Sequence, residues 1–410
     1  MKKRMIFSLL LIAIALFAIL AISCGQSERV VLNVYNWGEY ISDGTDDSID
    51  VNAEFEAYCA SRGLDVEVNY MMFDSNESMY NKLKSGAVSY DVVIPSDYMI
   101  ARMIDEDMLR PLNYANIPNF QYVEQDYLNP YYDPNQQYTV PYFVGIVGVI
   151  YNTKYVDEAD IGGWDLLWNP KYSGKILQFN NSRDAFGTAM FKNGDSVNVT
   201  DEATWRKALS ELKAQKPLLQ AYVMDEIFNK METESAWIAA YYAGDFLSMY
   251  EENENLGFYY PEGGTNIFAD AMCIPKNAAN PEVAEMYINF MLEREIGAAN
   301  SEFVYYATPN TLVNNDPEYI EYMESVYEGA MDILAPEFPE GYNIEYYHNF
   351  DDETLRMVNN LWEELKIDSG TDDGKIADLG VYVTCAVIVV AIGVGFTVRY
   401  IIQRKRRRYY

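Results

Sequence analysis

The feature that most restricts the fold is the repeated pairing of a short apolar run with a helical stretch in the first third of the chain. "VVLNVY", from Val30 to Tyr35, reads as a buried strand that ends at the polar turn "NWGEYISDG". Residues 50 to 61 have helical spacing, and "DVEVNYMMF" alternates as a second strand. "SNESMYNKLKSG" then carries a capping signal at Ser75 or Asn76 and a terminating Gly86, and "YDVVIPS" is a short continuous apolar strand of the kind buried in a parallel sheet. Strand and helix in alternation predict an α/β fold with ligand-bearing loops at the carboxyl ends of the strands.

The long run "YTVPYFVGIVGVIYN", interrupted by Pro141 and Gly145, suits a strand crossing from one lobe to another, and the first hinge is expected there. "WDLLWNPKYSGKILQF" predicts another helix and strand, with further helices around 204–213 and 233–244. "IFADAMCIP" reads as a strand returning to the first lobe, followed by a helix from Pro281 to Leu292 capped by Asn280. A chain of 410 residues is long enough for two lobes of ordinary size.

The two ends carry membrane signals. Lys2 to Arg4 precede an apolar run from Met5 to Ile22 and the small-residue stretch "AISCG", which together read as a secretion signal. Its end resembles the lipobox of bacterial lipoproteins, in which the cysteine, here Cys24, becomes the lipidated first residue; the run is also long enough to approach an uncleaved anchor. From Leu379 to Val398 no residue is charged, a length that spans a bilayer, and "IIQRKRRRYY" after it places the C-terminus in the cytoplasm by the positive-inside rule. Cys385 falls inside that span, and Cys59 and Cys273 remain outside, where a disulfide and a pair of buried free thiols are both compatible with the sequence.

The formal net charge is −32, and nine of the 30 basic residues sit at the two ends. Residues 24 to 378 therefore hold 21 basic against 62 acidic residues, a net of about −41. Nucleic acid is excluded as a partner, since phosphate binding needs a basic face. Small cations would be drawn to such a surface, which also serves solubility. With one histidine and no HExxH, CxxC, P-loop or GxGxxG opening a helix, the parts for metal, nucleophilic or nucleotide chemistry are missing. Paired carboxylates such as Asp245 and Asp270 are the one arrangement an enzyme, a glycosidase, would share.

The order of "YNWGEY", "SNESMYNKL", "YDVVIPSDY", "VPYFVGIVGVIYN", "WDLLWNPKYSGKI", "PEGGTNIFADAMCIP" and "YATPN" resembles the spermidine/putrescine-binding proteins of bacterial ABC importers across nearly all of residues 30 to 366. The resemblance implies an α/β, two-lobed type II periplasmic-binding-protein fold, here with a C-terminal transmembrane helix, and a substrate-binding role feeding a linear polyamine to ABC permease subunits without a cofactor. The implied division is a signal peptide at 1–23, a tether at 24–30, lobe I at 31–143 and 268–313, lobe II at 144–267 and 314–367, a linker at 368–378, a membrane helix at 379–400 and a basic cytoplasmic tail at 401–410. The ectodomain is then extracytoplasmic, held at the membrane by a lipid on Cys24 and by the helix.

A polyamine site needs a carboxylate for each ammonium taken from water, and flat apolar walls for the methylenes. Aromatic faces supply walls and attract cations. The resemblance carries Trp37, Glu39 and Tyr40 onto the first cleft loop, with Ser96 and Tyr98 on another. In "NNSRDAF" Asp184 keeps one of two family acids and the neutral Asn181 replaces the other, while "AAYYAGDF" offers Tyr242 as a wall and Asp245 as an acid of the putrescine-binding pattern. Phe268 and Asp270, two residues apart, share one face of a strand. Tyr306 matches a cleft tyrosine, and His348 a polar cleft residue. Preference between putrescine and spermidine stays open. So does a same-fold receptor for a sugar, amino acid or metal ion, against which the acid surplus argues, and an adhesive surface protein would leave the cleft aromatics unexplained.

Overall fold

The computed structural model describes residues 29–45 and 48–367. The Cys24 site, the linker and both apolar runs lie outside them, and among the described residues no helix is long and apolar enough to cross a membrane.

Ten strands are joined edge to edge: β1 (Val30–Trp37), β2 (Val66–Phe73), β3 (Val92–Val93), β4 (Thr139–Asn152), β5 (Ile176–Phe179), β6 (Leu219–Val223), β7 (Ile238–Tyr242), β8 (Leu256–Tyr259), β9 (Thr265–Cys273) and β10 (Ile344–Glu345). The main path runs β2-β1-β3-β9-β4-β7-β5-β6. β1, β2 and β3 are mutually parallel, and so are β5, β6 and β7, which gives two βα-built parallel halves. β4 and β9 run antiparallel between them. Residues 139–146 of β4 pair with β9, and from Val147 onward β4 pairs with β7. The crossing strand expected from its sequence is present, and its change of partner falls three residues beyond the 143/144 boundary. The register shifts between Pro141 and Phe143, where proline has no N–H to give the ladder.

Local chemistry sets the helix starts that flank the cleft. Asp50 caps helix Val51–Ser61 by accepting from Ala53 N at 2.9 Å, Ser75 caps helix Asn76–Ser85, and Asn181 caps helix Ser182–Asn193. One apolar cluster packs helices Val51–Ser61 and Pro281–Met291 on the first half-sheet through Phe55, Tyr287 and Phe290. The larger cluster buries Trp164, Phe186 and Trp205 in the second half, closed by helix Asp352–Ile367.

Three local expectations are corrected. A helix is expected around residues 233–244, yet Ile238–Tyr242 is the buried strand β7, because a place between β4 and β5 outweighs local propensity. The helix before β5 is two short 3-10 turns, Trp164–Trp168 and Pro170–Tyr172. Asn280 precedes helix Pro281–Met291 without capping it; its side chain donates to the Val31 carbonyl at 3.0 Å instead. Cys59 and Cys273 are buried free thiols, which resolves the disulfide alternative.

Candidate functional site

A cleft of about 100 Å³ opens between the two halves, lined by the residues that follow β1, β2, β3, β5, β6 and β7 and by one face of β9. Parallel strands of both halves thus deliver their carboxyl ends to one place. Eleven of the twelve residues expected in the ligand site line it: Trp37, Glu39, Tyr40, Ser96, Tyr98, Asp184, Tyr242, Asp245, Phe268, Asp270 and Tyr306.

His348 is the exception. It is exposed, its backbone N–H donates to Asn198 Oδ1, and its ring leans on Tyr131 at 4.7 Å. Its neighbour Tyr347 is the one turned inward, and the two residues face opposite ways in an extended segment.

β9 provides the clearest local logic. Asn266, Phe268 and Asp270 recur with period two and all face the cleft. Phe268 pairs across the ladder with Gly145, where a Cβ would lie 2.2 Å from the Phe268 ring, so only glycine lets the ring lie against β4. The ring meets Tyr242 edge-on at 5.3 Å, and Tyr40 meets Tyr306 at 5.2 Å, perpendicular. Each such aromatic pair adds roughly 0.5–1.5 kcal/mol beyond burial, which holds the walls in place without a ligand.

The carboxylates are the unusual part. Asp97, Asp245 and Asp270 are 0%, 9% and 3% exposed. Burial, first of all, pushes Asp245 up to about 8 and Asp270 up to about 7, despite hydrogen bonds that favour their charged forms. Burial raises Asp97 and Asp184 as well. Tyr306 donates to Asp245 at 2.8 Å, and Asp184 Oδ2 accepts from Tyr242 at 2.6 Å and from Asn181 at 2.7 Å. Asn181, the neutral replacement, therefore acts as the helix cap and a support for Asp184. Oδ2 of Asp97, Oδ1 of Asp270 and Oδ1 of Asn266 are buried without a hydrogen-bond partner. An unpartnered buried acceptor costs roughly 1–3 kcal/mol, more when charged, so these oxygens are left open to donors that a bound molecule brings.

Beside the cleft lies a wider opening that shares Glu39, Asp225 and Asp245 with it and adds Glu232, Glu251 and Glu302, with no lysine or arginine among its lining residues. Glu39 holds φ +48°, a left-handed backbone that non-glycine residues adopt at a cost of roughly 1–3 kcal/mol and that recurs at ligand sites.

Sequence reasoning missed Asp97, Arg183, Asp225, Asn266 and Tyr347. Two had a signal: Asp97 sits between the named Ser96 and Tyr98, and Asn266 keeps the period of Phe268 and Asp270. Arg183 is buried with its guanidinium plane 4.2 Å from the Phe350 ring and 4.6 Å from Tyr347, which holds it to the wall.

Two α/β halves joined by crossing strands, with an acid-and-aromatic cleft at their strand ends, define a solute-binding protein. The chain belongs to the bacterial extracellular solute-binding protein family, whose model matches residues 89–323; a hypothetical lipoprotein family model (MG045 family) also matches residues 1–127. It is 32% identical over 282 residues to the spermidine/putrescine-binding periplasmic protein of Escherichia coli, covering 68% of this chain and 77% of that one. Among solved structures it is similar to a putative spermidine/putrescine ABC transporter protein from Listeria monocytogenes, with 33% identity, a TM-score of 0.73 and coverage of 82% of this chain and 99% of that one. The spermidine/putrescine ABC transporter substrate-binding protein of Streptococcus pneumoniae is also 33% identical, with a TM-score of 0.65 and the same coverage. The family binds solutes and does not catalyse; the two-lobed α/β periplasmic-binding-protein fold expected from the sequence is the observed one.

Proposed function

We propose that the chain is the extracytoplasmic substrate-binding protein of an ABC importer and takes a linear polyamine, putrescine or spermidine, between its lobes for delivery to the permease. The observation that carries this reading is the set of buried cleft carboxylates, Asp97, Asp245 and Asp270, with unpartnered oxygens on Asp97 and Asp270 and aromatic walls between. An alkylammonium supplies the missing donors and charge, and its methylenes pack on Tyr242, Phe268 and Tyr306. The names of the relatives agree with that chemistry.

In this reading lobe I comprises residues 31–143 and 268–313, and lobe II residues 144–267 and 314–367. A polycation that bridges acids of both lobes shifts the population toward the closed state, which the permease reads. Cys24 carries a lipid, residues 379–400 span the membrane and residues 401–410 lie in the cytoplasm. The lipoprotein-family match over residues 1–127 supports the lipid. Two anchors keep the receptor at high effective concentration beside its permease.

Titration calorimetry of the full chain in detergent with putrescine, cadaverine, spermidine and spermine tests the reading. Saturable heat with at least one is expected, and no heat with any of them overturns it.

A further inference from the structure

Asp97 is the most deeply buried acid of the cleft and was not among the site residues expected from the sequence. It is the first residue of helix Asp97–Asp105, where the helix dipole favours a negative charge. Its Oδ1 accepts from the Tyr98 backbone N–H at 2.6 Å, which fixes the side chain and leaves Oδ2 without a partner. The preceding residue, Ser96, forms an isolated antiparallel bridge with Asp270, so the two acids are neighbours at the same end of the cleft. Asp270 likewise has one unpartnered oxygen, and the Tyr40 hydroxyl stands beside it.

Two buried carboxylates at one end of the cleft, each with one oxygen that lacks a donor, are an arrangement that a fold tolerates where a cation arrives between them. Arg183 is the one charged donor nearby. Its Nη1 donates to the His348 carbonyl at 3.2 Å and its Nε and Nη2 are unpartnered, so it is not bonded to Asp97. We propose that Asp97 is a ligand-binding carboxylate that shares one ammonium of the bound amine with Asp270. The inference rests on the polyamine reading and adds to it the seat of a particular nitrogen. An ammonium there gives one N–H to Asp97 Oδ2 and another to Asp270 Oδ1, with the Tyr40 oxygen within reach as a third acceptor.

The test is calorimetry of the full chain in detergent with putrescine and spermidine, on the wild type and Asp97→Asn, with Asp97→Ser as the second variant should the first fail to fold. Each variant should weaken the tighter-binding amine at least tenfold and lower the number of protons released on binding. The ligand-free melting temperature should stay the same or rise, because a buried acid with an unpartnered oxygen has been removed. Binding within twofold of wild type overturns the proposal, as does a lower melting temperature with an unchanged proton count, which marks a purely structural acid. A wild type that binds none of putrescine, cadaverine, spermidine and spermine overturns the polyamine reading itself; a wild type that binds while the variants bind equally overturns the Asp97 assignment alone.

Discussion

The Tyr306 hydroxyl donates to Asp245 Oδ2 at 2.8 Å, and Asp245 lines both the narrow cleft and the wider acidic opening beside it. The bond favours the charged carboxylate, burial disfavours it, and burial wins, which leaves the acid pushed up to about 8. Asp245 is thus positioned to lose a proton when a cation comes in from the opening.

Binding should therefore release protons. With Asp245 at about 8 and Asp270 at about 7 before binding, a dication that needs both charged expels roughly one and a half protons at pH 7. Affinity should fall on acidification from pH 8 to pH 6, gently at first and by more than about tenfold per unit below pH 7. Calorimetry in buffers of different ionisation enthalpy reads the proton count directly, and a count of zero contradicts the assignment.

The same groups set the stability of the empty receptor with the opposite sign. A carboxyl whose pKa is raised on folding is favoured in its protonated form, so that stabilisation is present below the unfolded value of about 4 and is lost as pH rises through about 7 to 8. The ligand-free protein should melt higher at pH 6 than at pH 8.5, and Asp245→Asn should flatten that slope in a thermal scan.

Asp270→Asn should weaken polyamine binding at least tenfold, about 1.4 kcal/mol, because the neutral amide keeps the shape and removes the charge. A change under twofold takes Asp270 out of the site. His348→Ala, outside the cleft, should leave the affinity within twofold of wild type.

Gly145→Ala places a methyl group 2.2 Å from the Phe268 ring. Overpacking of this kind costs about 1–3 kcal/mol. Lower stability in denaturant melts, together with weaker binding from a displaced wall, is the expected outcome; an unchanged melt shows that the ring has room to move.

Cys59 and Cys273 should alkylate only in the unfolded chain, and without prior reduction, since both are buried free thiols. Peptide mapping after labelling in denaturant, with and without reductant, distinguishes this from a disulfide.

The sequence determined the strand-and-helix alternation, the crossing strand at 139–152 and the period-two face of Phe268 and Asp270, because each of these is a local pattern of burial or a turn that neighbouring residues impose. It failed at Ile238–Tyr242, read as part of a helix, where position between two strands decided otherwise. The tertiary structure alone decided that Asn181 supports Asp184, that Tyr347 and not His348 faces the cleft, and that Asp97 joins Asp270 there. Those outcomes depend on which groups from distant segments share a space that excludes water. Desolvation, which raises Asp97, Asp184, Asp245 and Asp270, exists only once the two halves enclose them.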